Sequence, residues 1–264
     1  MPNLMSLRSD AAAEFGKLME RFQPRVDRDT LLSQLELIVR DLHIIAVATL
    51  LVDGNSQGFF LNLCRAAENW RRLHGLLHSR KLAPPPTTKT VPLLAALAAG
   101  HFELAHALAT APTAERLEGA EYDDEYLWAS LLRLLARQPP AEAATVTPLL
   151  TRLRKANKKE YGHRCDLVLA LLANDRDSFA QAFEKARLDY ELATEKRAAN
   201  FATPVTSFAP HRFLWLEGLA LLRLAERAGF VLEDADYKYC PPLARVPMTA
   251  KYAGDWAIPA VPAP

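Results

Sequence analysis

Isoleucine and valine are scarce in this chain: together they supply 15 of 264 residues, against 88 from alanine and leucine. β-Branched side chains favour strands, whereas small and straight ones lose little rotamer freedom in a helix, so a sheet-rich fold is excluded and an all-α protein is expected. Cysteine is sparse as well. Cys64, Cys165 and Cys240 are an odd number with no CxxC pair, which argues against a disulfide framework and against a cysteine-type zinc site. Long apolar runs are missing. The longest, Leu42 to Val52, is far shorter than the roughly 20 residues a membrane-spanning helix needs, and it contains His43. It reads as a buried core helix. Neither sign of charge prevails, with 32 Lys and Arg against 31 Asp and Glu, so no global field draws the chain to nucleic acid or to an anionic membrane.

Motifs of common chemistry are absent too. The sequence has no GxxxxGK[ST], no GxGxxG and no GxSxG, which removes the usual supports for nucleotide binding and for α/β-hydrolase catalysis. The first twenty residues carry Arg8, Asp10, Glu14, Lys17 and Glu20, and no stretch among them resembles a signal-peptide core; a cytoplasmic location is the expectation.

What is present is helical periodicity. Ser9 is placed to cap a first helix with Phe15, Leu18, Met19 and Phe22 on one face, ending before Pro24. A second runs from Asp29 to about Asp53 and becomes apolar all round from Ile44, as suits the middle of a bundle. After Asp53-Gly54-Asn55 a third carries Phe59, Phe60, Leu63, Trp70, Leu73 and Leu77, and stops before Pro84. The proline-rich stretch 83–90 reads as a stiff loop, since the helices flanking it have wide apolar faces that need each other. Helices are then expected over Val91 to Ala99, His101 to Thr110, Glu121 to Arg137, Ala141 to Ala156 and Lys159 to Ala173. Asp175 caps a long one whose stripe is Phe179, Phe183, Ala186, Tyr190 and Ala193, and a last helix spans Pro210 to Ala228. The predicted architecture is a multi-helix bundle of stacked αα-hairpins over 1–229, followed by an extended, partly packed tail over 230–264. That tail holds six of the 18 prolines.

Leu94 to Glu103 resembles Leu169 to Ser178: each is helix, tight turn, helix. The interval of about 75 residues is not that of a tetratricopeptide array, which leaves stacked hairpins and not a regular solenoid.

Several side chains invite chemistry. His74 and His78 stand four apart on one helix, a spacing that lets two imidazoles reach one metal ion, with His101, His106 or the His163/Cys165 pair as a conceivable third donor. No Glu follows His74, so HExxH is absent, and the plainer reading is a pair of solvated histidines. Cys64, among Leu63, Phe60 and Ala67, reads as a small buried hydrophobe. Cys165 near His163 could form a dyad, but near neighbours on a helix point in different directions. No catalytic, metal or cofactor residue is assigned.

Charge is clustered. Glu115 to Tyr126 holds Glu115, Glu118, Glu121, Asp123, Asp124 and Glu125 against Arg116 alone, whereas Arg152 to Arg164 holds six basic residues against Glu160. Acids near a helix start are favoured by its dipole, which explains part of this. A sharper reading makes Glu118, Glu121, Tyr122, Asp123, Asp124, Glu125 and Tyr126 a docking surface, since aromatic anchors rimmed by charge give both burial and steering. Asp236, Tyr237 and Tyr239 in the tail are a second candidate surface.

The segment Leu94 to Leu108, the Asn174-Asp175 turn leading to Phe179, and the late Tyr237-Lys238-Tyr239-Cys240-Pro241 together resemble the immunity protein 49 family. The resemblance implies a cytoplasmic antitoxin of a bacterial polymorphic toxin system, in the setting of interbacterial competition and secretion such as type VI. Its partner would be the toxic domain of a secreted effector, a nuclease among the options, which it would inhibit by occluding the active site. No individual functional residue is carried over from the family. Two other readings stand beside it: a helical-repeat adaptor that gathers proteins on a concave face, and a metal-dependent enzyme using His74 and His78.

Overall fold

A computed structural model of the protein describes residues 3–116, 119, 121–156, 162–200, 205–232 and 236–260. Among them are eleven α-helices and no strand: α1 (Leu4–Glu20), α2 (Arg28–Asp53), α3 (Ser56–Ser79), α4 (Val91–Ala98), α5 (Phe102–Thr110), α6 (Asp123–Ala136), α7 (Ala143–Ala156), α8 (Gly162–Ala173), α9 (Arg176–Ala198), α10 (Val205–Phe213) and α11 (Leu216–Arg227). The all-α expectation holds.

One turn recurs three times and sets the hairpin stacking. In each, a residue of left-handed conformation ends one helix and its successor caps the next. Gly54 (φ 63°) precedes Asn55, which accepts from Gly58 N at 2.8 Å. Gly100 (φ 73°) precedes His101, whose Nδ1 accepts from Leu104 N at 3.3 Å. Asn174 (φ 52°) precedes Asp175, which accepts from Ser178 N at 3.0 Å. In all three the capping residue's own N–H reaches back into the preceding helix: His101 to Ala96 and Asp175 to Ala170, five residues earlier, at 3.0 and 2.9 Å, and Asn55 to Thr49, six residues earlier, at 3.2 Å. These bonds satisfy carbonyls that a helix end would otherwise leave unpaired. The two sequence copies are thus one structural device, and Gly54-Asn55 is a related instance the sequence comparison overlooked.

Most of α2 is buried from Asp41 to Ala48, packed between α1 and α3, and a single large apolar cluster runs from Phe15 to Ile258 through α2, α3, α4, α6, α9 and α11. The proline-rich loop is tied on both sides. Arg28 donates to the carbonyls of Ala83 and Pro84 at 2.9 and 2.8 Å, and Ala114 N donates to Pro85 O at 2.9 Å.

Four expectations need correction. The first helix starts at Leu4, not after Ser9, because Asn3 Oδ1 accepts from Met5 N and Ser6 N at 3.0 and 3.4 Å. The last long helix is two: the chain breaks at Leu214-Trp215, where Trp215 N donates to Tyr239 O at 2.9 Å instead of continuing α10. The Trp215 ring folds over Gly218, where a Cβ would stand 2.2 Å from ring carbon Cε3. On α9 Ala193 is exposed, and Thr194 is the buried residue in its place. And α6 begins at Asp123, after Glu121 has been drawn into the interior.

The tail is held by polar side chains of α3. Asn69, fully buried, donates to Trp256 O and accepts from Ile258 N, both at 2.9 Å. Gln57 Oε1 accepts from Thr249 N and Ala250 N at 2.8 and 2.9 Å, and Arg72 donates to Ile258 O and Gly254 O at 2.6 and 3.0 Å. Arg65 pairs with Asp255 at 2.6 Å and lies 3.9 Å over the Trp256 ring, which meets Phe15 of α1 at 5.8 Å. Extended backbone without a sheet thus finds its partners in side chains, as buried peptide groups require.

Candidate functional site

Helix α6 gathers Asp123, Asp124 and Glu125 in its first turn, where the unpaired N–H groups and the dipole favour negative charge. Tyr122, immediately before, is 74% exposed, the most open of the large hydrophobic side chains among the described residues. Asp123 pairs with Arg116 at 2.6 Å, Asp124 Oδ1 accepts from Glu125 N at 3.0 Å, and Glu125 is exposed. Tyr126 is half-buried one turn on, its N–H bonded to Tyr122 O at 3.0 Å. These five residues share one end of α6.

Glu121 does not belong with them. It is 7% exposed and accepts from Thr88 Oγ1 at 2.7 Å and Thr88 N at 3.3 Å, so its carboxylate is an internal anchor for the proline-rich loop. Glu118 lies outside the described residues.

The tail candidates divide in the same way. Tyr237 and Tyr239 are buried because the α9 stripe offers aromatic area: Tyr237 meets Phe183 edge-on at 4.7 Å, and Tyr239 meets Tyr190 at 5.4 Å. Such edge-to-face pairs add about 0.5–1.5 kcal/mol beyond area burial, so these rings are core and offer nothing to a partner. Asp236 is exposed.

The histidines and cysteines resolve individually. His74 is half-buried, not solvated. Burial first, and the Arg133 guanidinium second, push it down to about 4, and a hydrogen bond with the Pro112 backbone opposes the shift. His78 is exposed. No group of three or more His, Cys, Asp or Glu side chains among the described residues is arranged to hold a metal ion. Cys165 and His163 are not brought together: His163 Nε2 faces Asp189 Oδ2 at 3.6 Å, while Cys165 is buried, its thiol raised by burial and opposed chiefly by Arg154. Burial pushes Cys64 and Cys240 up to about 12, which leaves no reactive thiolate at neutral pH.

Two concavities remain. A groove of about 660 Å³ runs beside α9, floored by Tyr190, Trp215 and Leu216. On its polar wall Arg164 grips Glu217 at 2.8 and 3.0 Å and Trp128 Nε1 donates to the same carboxylate at 3.1 Å, whereas the buried Nδ1 of His163 has no hydrogen-bond partner among the described residues. Leu192, 71% exposed, stands on its rim. A smaller cavity of about 260 Å³ lies between α2, α10 and the end of the proline-rich loop. His43 and His211 line it with rings edge-on at 5.1 Å, and its one mark in the sequence is a histidine inside an otherwise apolar run.

No protein-family model, characterised protein or solved structure matches this chain. Among the described residues no helix is long and apolar enough to cross a membrane.

Proposed function

We propose that this protein is a cytoplasmic immunity protein, similar to the immunity protein 49 family, that neutralises the toxic domain of a secreted bacterial effector by covering its active site. The observation that carries the reading is the end of α6: an open aromatic side chain, Tyr122, beside Asp123, Asp124 and Glu125 of the first turn, with Arg116 paired to Asp123. An exposed aromatic supplies burial on docking, and a rim with more acids than bases steers a basic face toward it. Toxic domains that act on nucleic acid present such a face, because they must bind phosphate. Behind the patch α6 buries Leu127, Trp128, Leu131 and Leu132 in the core, so the helix that carries it is already packed before binding.

The deciding experiment is co-expression with the toxic domain of an effector encoded beside this gene, scoring survival and co-purification. Survival with a stable complex is expected. Death of the host together with no complex overturns the proposal.

The groove along α9 favours a second reading, a helical adaptor. Leu192, 71% exposed on its lining, would help seat an apolar helix there. Failure of the toxic domain to bind, together with saturable binding of an amphipathic helical peptide that Leu192→Asp abolishes, would select it.

A further inference from the structure

Helix α9 turns Phe179, Ala182, Phe183, Ala186 and Thr194 inward, and the face opposite them is exposed. Lys185, Leu188, Leu192 and Glu195 line that outer face at steps of three, four and three. Leu188 is 46% exposed and Leu192 71%, the most open aliphatic side chain among the described residues. Lys185 makes no ion pair among the described residues, and Glu195 accepts from the Tyr239 hydroxyl at 3.3 Å. A single exposed leucine is ordinary on a protein surface, but here two adjoining ones lie midway between a base and an acid.

Laid against an identical helix running the opposite way, this pattern is its own complement. Setting Leu188 against the partner's Leu192 fixes the register, and Lys185 then falls opposite the partner's Glu195 with no further adjustment. A two-fold axis repeats each contact, which gives four layers over roughly 15 Å of helix: an ion pair, two leucine pairs and an ion pair. A parallel pairing would set Lys185 on its own copy and Glu195 on its own copy, so charge selects the antiparallel arrangement. Beside the axis, Glu191 pairs with Arg187 at 2.8 Å and with Lys238, and Asp189 lies 3.6 Å from His163 Nε2, so each acid already has a partner within its own chain. We propose that the outer face of α9 is a homodimer interface, joining two copies of this chain as an antiparallel α9 pair. Matching at both ends of the stripe is what self-association requires and a foreign helix does not. A single helix pair belongs with the weak, transient interfaces. The face is distinct from the α6 patch, and the dimer does not depend on toxin binding.

Its test is sedimentation equilibrium of the full chain from about 5 to 500 μM, the range in which a weak dimer dissociates. A reversible monomer–dimer equilibrium is expected, and Leu192→Asp should hold the chain monomeric throughout. Lys185→Glu and Glu195→Lys should each weaken the dimer by about tenfold or more, since each sets like charges across both end layers. Mixed one to one, the two charge variants should pair with each other at least as tightly as the parent pairs with itself, because every end layer then holds opposite charges again. All three positions are exposed, so helical content by circular dichroism should be unchanged in each variant. A parent chain that stays monomeric at every concentration overturns the proposal, and binding of an amphipathic helical peptide by that monomer would assign the face to a foreign helix. A dimer indifferent to Leu192→Asp, or charge variants that fail to recover on mixing, would overturn it as well.

Discussion

Glu121 and Thr88, 33 positions apart, are joined by a 2.7 Å hydrogen bond from the threonine hydroxyl to the carboxylate. The bond links the proline-rich loop to the residue before Tyr122, so the wall of the histidine-lined cavity and the base of the acidic patch share one anchor. Glu121→Ala would leave two Thr88 donors unanswered in a half-buried setting. A loss of about 1–3 kcal/mol is expected in urea unfolding, and Glu121→Gln should recover part of it because an amide oxygen still accepts. Equal stability of Glu121→Ala and the parent would refute the anchor.

At the α6 patch, Asp124→Lys with Glu125→Lys should slow association with the toxic domain more than it speeds release, and the difference should vanish at high salt. Tyr122→Ala should act on release instead. Since Tyr122 is open to solvent, its loss should alter stability by no more than about 0.5 kcal/mol. Rates that ignore ionic strength would discard electrostatic steering.

Arg223 is 8% exposed. It pairs with Glu226 at 2.7 Å, donates to Val246 O at 2.6 Å and to Ala98 O at 3.4 Å, and lies 5.7 Å from the Phe60 ring centre. Arg223→Leu keeps the packing area but strands two carbonyls, with an expected cost of about 2–4 kcal/mol. Thermal unfolding at fixed pH measures it, and an unchanged midpoint would show those contacts to be dispensable.

Acid should weaken the fold before the carboxylates titrate. His74, held down near 4, stays neutral in the folded state at pH values where the unfolded chain, at about 6.5, already takes up a proton. The unfolded state therefore binds more protons between those limits. Stability is complete above pH 6.5 and declines as pH falls toward 4, by at most about 1.4 kcal/mol per pH unit per histidine. His43 and His211 contribute with the same sign. Urea midpoints at pH 7.0 and 5.0 should differ, and His74→Gln should flatten the dependence by one proton's share. A pH-independent midpoint contradicts buried neutral histidines.

Cys64 and Cys240 should resist alkylation at pH 8 in the folded protein and react fully in urea, given thiols raised to about 12 and no exposed sulfur. Rapid labelling of the native chain would place them at the surface.

What the sequence disclosed was periodic and local. The all-round apolar run after Leu42 marked a central helix, and Asp175 declared itself a cap by its place before a polar first turn. Features resting on distant partners stayed hidden. Glu121 looked like one more acid in a charged stretch, because the Thr88 that buries it lies 33 residues upstream. Tyr237 and Tyr239 looked like exposed anchors, since a tail without periodicity gives no sign of the aromatic stripe it will cover. Asn69, at an interior position of an amphipathic helix, revealed nothing of a peptide group 189 residues later.

That last contact bears on synthesis. A chain emerging from the ribosome completes α3 long before residues 254–258 exist, so Asn69, Arg65 and Arg72 must remain hydrated while the surrounding helices form. The polar seam on α3 would then stay open in the nascent protein and shut only when the strap of residues 247–258 arrives, which makes the docking of that strap a late, vectorial event in biogenesis.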